Sequence, residues 1–147
     1  YPLQISRGVN DRSQNLVIEI KKDGITAWGE SAPGKTEGAS SAKEVKDHLI
    51  RLINSDINTL SIYEVHQRCK DLNIPRCAQA AIDVALWDLK AKEAKMSLKD
   101  LLGLPSPQVP SSITVGINPP EIIKERVEII LSNPQVKALK IKLGSPT

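Results

Sequence analysis

The sequence predicts an α+β region over roughly residues 1–104, followed by an α/β region that opens near residue 111 and is cut short. Three observations carry that reading. NLVIEI and ITAW flank a Lys22-Asp23-Gly24 turn, the pattern of a β-hairpin. Three stretches between Ser41 and Ala94 repeat their apolar residues at helical spacing. Beyond the three-proline segment LPSPQVP the order becomes strand, helix, strand, which is a βαβ unit.

Taken in order, residues 1–7 read as an edge strand before a polar loop, GVNDRSQ. Within 15–20, Leu16, Ile18 and Ile20 alternate against Val17 and Glu19, so they share one side of a strand. Residues 31–40 are rich in Gly, Ser, Pro and Thr and read as a loop. Next, Val45, Leu49, Ile50 and Ile53 recur with helical period, with Ser40 or Ser41 available as N-cap. A second helix covers Leu60–Asp71, with Ile62, Val65 and Cys69 on one face. Pro75 suits the first position of a long helix over 75–94. Its small residues Ala78, Ala81 and Ala85 permit close approach of a neighbour, while Ile82, Leu86 and Leu89 supply bulk. Leu98–Leu102 forms a short turn stopped by Gly103, and 105–110 is a linker. Ser112–Ile117, Pro120–Ser132 and Val136–Leu143 are the strand, helix and strand of the last region.

Composition narrows the function classes. A chain of 147 residues with 40% apolar and 25% charged residues is globular rather than disordered. No run of 18 apolar residues and no signal-peptide pattern is present, which argues against a membrane partner. The net charge of +3 is spread along the chain, and Trp28, Trp87, Tyr1 and Tyr63 are the only aromatics, which argues against a nucleic-acid partner. Cys69 and Cys77 fit neither a zinc site nor a disulfide framework and read as buried thiols in a reducing, cytoplasmic setting. His48 and His66 lie on amphipathic helices as surface or packing residues. The start at Tyr1 and the stop at LGSPT read as a piece of something larger.

GESAPGKTEG matches the G-x-x-x-x-G-K-[ST] phosphate loop through Gly29, Gly34, Lys35 and Thr36. Its context opposes that reading. The preceding strand is a hairpin arm rather than a buried parallel strand. The following helix starts several residues late, so its amides miss the phosphate. Glu30 and Glu37 also place negative charge there. A polar loop is the better expectation.

ALKIKLG is the sharper chemical feature. Lys140 and Lys142 are two apart, so on a strand both point to one face, away from Leu139, Ile141 and Leu143. In an open sheet that face is solvated; in a closed barrel it points inward, near the strand end where barrel enzymes build active sites. Adjacent ammonium groups repel and desolvation disfavours charge, and both effects favour the neutral amine, a competent general base.

AQAAIDVALWDLKAKEAKMSLKDLLG, residues 78–103, resembles the helical signature of the mandelate racemase and muconate lactonizing enzyme group of the enolase superfamily. Asp83, Ala85, Asp88, Ala91, Lys92 and the closing LLG fall in register. GESAP resembles that group's GWGE-[AS]-x-P stretch through Trp28, Gly29, Glu30 and Pro33, and TVGI and LKIKLG follow in family order. The resemblance implies an α+β capping domain over 1–104, a linker at 105–110, and in 111–147 the start of a modified (β/α)8 TIM barrel, truncated after two strands. It implies that the capping domain sits over the barrel mouth, that GESAPGKTEG is a loop closing over it, and that Mg²⁺ holds a substrate carboxylate while a base removes the α-proton. By position, Lys142 is the acid/base and Lys140 its neighbour, possible ligand of the carboxylate.

SRG followed by a polar loop, and TVGI before LKIKLG, resembles the dipeptide epimerases, L-Ala-D/L-Glu epimerase among them. That resemblance places Arg7 and Thr114 against a small-molecule substrate, a dipeptide or N-acyl amino acid, in a protein that is a homo-oligomer at full length. Such a barrel takes about 250 residues. The acidic metal ligands, expected on later strands, and the opposing lysine are therefore missing, and the chain alone is expected to be inactive. The rival readings are o-succinylbenzoate synthase, N-acylamino acid racemase or a cycloisomerase, which share the lysines, and a non-catalytic interaction module.

Overall fold

The computed structural model describes residues 3–5, 8–106 and 109–144. They fall into two compact units: one runs from 14 to 105, and the other joins the residues up to 13 with those from 106 onward.

In the first unit, β3 (Leu16–Lys22) and β4 (Ile25–Ser31) form an antiparallel hairpin, with Leu16 opposite Ser31 and Lys22 opposite Ile25. Asp23 and Gly24 hold φ of 49° and 79°, the pair of left-handed residues that a tight hairpin turn requires. Inward-facing Ala27 and Ser31 are fully buried. Helices α1 (Ala42–Ile53), α2 (Ile62–Asp71), α3 (Arg76–Glu93) and the single turn α4 (Leu98–Leu101) complete the unit. Ser41 caps α1 by accepting the Glu44 N–H, and Ser61 with Glu64 forms a reciprocal capping box on α2. Pro75 caps α3 from outside rather than occupying its first turn.

The core gathers Val45, Leu49 and Leu52 of α1, Val65 and Cys69 of α2, and Ala78 and Ile82 of α3, with Leu16, Ile18 and Ile20 of β3 packed against it. The inward stripe of α1 is therefore 45, 49 and 52. Ile50 and Ile53, expected on that face, are about half exposed because the hairpin and α3 cover the neighbouring stripe. The alanine face of α3 does receive a neighbour, the β4 backbone at Gly29.

Side chains of α3 also close the outer edge of β4. The Asp88 carboxylate accepts the Trp28 N–H at 2.8 Å, and the Lys92 ammonium donates to Asp88 at 2.7 Å and to the Thr26 carbonyl at 2.9 Å. Two of the strand's outward backbone groups are thus satisfied by the helix. Three helices stop on left-handed residues, Asn73, Lys95 and Gly103. Each is followed by a backward bond, from the Ile74, Met96 and Leu104 N–H groups to Cys69, Ala91 and Lys99 carbonyls. Among the described residues, no helix is long and apolar enough to cross a membrane.

In the second unit, β1 (Leu3–Ile5) pairs antiparallel with β2 (Gly8–Asn10), so GVN is a strand and not the start of a loop. β5 (Ser112–Val115), α5 (Pro120–Leu131) and β6 (Ala138–Ile141) form the expected βαβ unit, with parallel register from Ser112 opposite Ala138 to Val115 opposite Ile141. Both strands are shorter than the sequence predicts. The N-terminal pair groups by its contacts with this unit, and Ile117 donates its N–H to the Gln4 carbonyl at 2.8 Å.

Candidate active site

The residues singled out on β5 and β6 meet at the carboxyl ends of the two strands. Register sets Thr114 opposite Lys140, and in a parallel pair such partners point to the same face. Lys142 lies one residue past β6, yet the ladder continues to it: its N–H donates to the Val115 carbonyl at 2.9 Å. Lys140 is exposed, whereas Thr114 and Lys142 are half-buried. Val115, on the opposite face, is fully buried and anchors the strand. Neither lysine side chain enters an ion pair among the described residues. Arg7 lies outside the described residues.

A lysine pair beside a threonine hydroxyl can take a proton and hold an anionic oxygen. Sequence reasoning missed Gly116, buried between Thr114 and the end of the ladder. The only signal for it was the glycine in TVGI.

Among the described residues, no three His, Cys, Asp or Glu side chains could hold a metal, so they do not fit a Mg²⁺ site by themselves. Burial, reinforced by the Asp83 carboxylate, pushes the Cys69 thiol up, which keeps it protonated and inert. Asp88 serves the clamp on β4. Along GESAPGKTEG, β4 is an antiparallel arm, 35–37 is a short tight turn, and α1 starts only at Ala42. That order does not make a phosphate cradle.

A parallel βαβ unit follows a hairpin clamped to a long helix. The chain belongs to the mandelate racemase / muconate lactonizing enzyme family, whose N-terminal domain matches residues 1–103. It is 49% identical over 146 residues to a hydrophobic dipeptide epimerase of Flavobacteria bacterium (strain MS024-2A), covering 99% of this chain and 42% of that protein. A hydrophobic dipeptide epimerase of Roseobacter litoralis is 47% identical over the same shares. Among solved structures, the dipeptide epimerase of Enterococcus faecalis V583, complexed with Mg and L-Leu-L-Tyr, superposes with a TM-score of 0.85 at 26% identity, covering 98% of this chain and 42% of that one. The strands and helices of the first unit are those of the superfamily's N-terminal capping domain. The chain spans less than half the length of these relatives.

Proposed function

We propose that the full-length protein corresponding to this chain is a Mg²⁺-dependent dipeptide epimerase acting on hydrophobic dipeptides. One observation carries the chemistry: Lys140, Lys142 and Thr114 share one face at the carboxyl ends of adjacent parallel strands. The two relatives near half identity favour hydrophobic dipeptides over L-Ala-D/L-Glu.

In this reading the Lys142 amine removes the α-proton of the substrate. The C–H bond breaks, its electron pair stays on the substrate as an enediolate, and a new N–H bond forms on Lys142. Lys140, beside it, reaches the carboxylate. Thr114 and Arg7 line the substrate. The proton that returns to the opposite face comes from a group outside this chain, and the ligands of Mg²⁺ also lie outside the described residues. The division that goes with the proposal is a capping domain at 1–104, a linker at 105–110 and the opening of a TIM barrel at 111–147, in a cytoplasmic homo-oligomer.

The test is deuterium incorporation at the α-carbon of L-Leu-L-Tyr and similar dipeptides, by full-length protein in D₂O. Incorporation should be lost in Lys142→Ala and after chelation with EDTA. Exchange in N-acyl amino acids but in no dipeptide would move the protein to a neighbouring activity, and exchange in neither would end the proposal.

A further inference from the structure

The Lys142–Val115 bond fixes more than the lysine backbone. In a parallel ladder it sets Gly116 opposite Lys142, so residues 114, 116, 140 and 142 share one face. Gly116 is buried although it has no side chain. A Cβ there would meet the Gln4 carbonyl oxygen at 3.0 Å, the Gln4 nitrogen at 3.1 Å and Leu3 Cδ1 at 3.1 Å. The β1 main chain therefore fills, on the lysine face, the space a side chain at 116 would take. The next residue seals the joint through the Ile117 N–H bond to Gln4. Unlike Gly8 at φ 147°, Gly116 does not lie in the left-handed region, so space rather than backbone freedom calls for glycine.

We infer that Gly116 is a positioning residue for the proposed substrate site: it seats β1 against the β5 end to which Lys142 is hydrogen-bonded. Segment 115–117 then holds Lys142 on one side and Gln4 on the other, three residues before Arg7 in sequence. The inference rests on the dipeptide epimerase reading. Displacing β1 leaves Lys142 paired with Val115, so substrate binding should suffer more than chemistry.

The experiment compares Gly116→Ala and Gly116→Val with wild type in the full-length protein. It reads KM and kcat for L-Leu-L-Tyr epimerization, thermal midpoint, and amide hydrogen exchange at Ile117. For Ala, KM should rise about fivefold, and for Val about twentyfold or more, with kcat held within about threefold. The Ile117 amide should be protected in wild type and exchange faster in both variants, with α5 amides unchanged. Folded variants that keep the wild-type KM overturn the positioning role, as does an Ile117 amide already unprotected in wild type. Wild-type protein with a protected Ile117 that epimerizes no dipeptide overturns the underlying reading, and the positioning role with it.

Discussion

Gly29 and Ala81 are in direct backbone contact: a Cβ on Gly29 would fall 2.0 Å from the Ala81 carbonyl oxygen and 3.0 Å from Ala85 Cβ. Neither obstacle can rotate away. Gly29→Ala should push β4 off α3 and cost about 3 kcal/mol, the upper part of the overpacking range. Urea denaturation measures it, and an unchanged midpoint would contradict so close an approach.

The Lys92 hydrogen bond, followed by the Trp28 N–H, holds the Asp88 carboxyl below the ordinary aspartate value of 3.8. A depressed folded-state pKa means stability that is present above the unfolded value and lost as pH falls through the folded one. Asp88→Asn should therefore lower stability by about 1–2 kcal/mol at neutral pH. The gap from wild type should narrow as the pH falls through the folded-state value, where the carboxylate is protonated in both states. Denaturation across that range provides the check, and a gap that persists in acid would show that the carboxylate charge is not what matters.

Lys95 ends α3 at φ 55°, a conformation that costs an L-residue energy and glycine almost none. Lys95→Gly should raise stability by about 0.5–1 kcal/mol, the relieved strain less the added chain entropy. Its thermal midpoint should rise; a fall would show that the lysine side chain contributes more than its backbone costs.

Thr114 faces the same side as Lys140, and Thr114→Val keeps the branched shape while removing the hydroxyl. In full-length protein, kcat/KM for a hydrophobic dipeptide should drop about tenfold, the loss of one hydrogen bond, with the thermal midpoint unchanged. Steady-state kinetics beside a melting curve separate this from a packing role, which would move the midpoint and spare kcat/KM.

What could be read from the sequence was local. The Asp23-Gly24 turn, the Ser41 and Ser61 caps and the βαβ order all depend on residues within a few positions of one another. The shared face of Lys140 and Lys142 followed from strand period alone. The inward face of α1 did not, because Leu52 and the pair Ile50 and Ile53 are both helical neighbours of 45 and 49, and only the packed hairpin chooses between them. GVN reads as polar loop until β1 is set beside it. Gly116 was least legible of all, since the backbone that requires it comes from Leu3 and Gln4, more than a hundred positions away.

The clamp of Asp88 and Lys92 on β4 has a consequence for how copies of this protein can meet. A sheet polymerises only when both of its borders recruit, as in cross-β fibrils. Here Asp88 and Lys92 of α3 take the Trp28 N–H and the Thr26 carbonyl on one border of the β3–β4 pair, groups an incoming strand there would need. Such a sheet takes a partner more readily along β3 than along β4, which works against stacking.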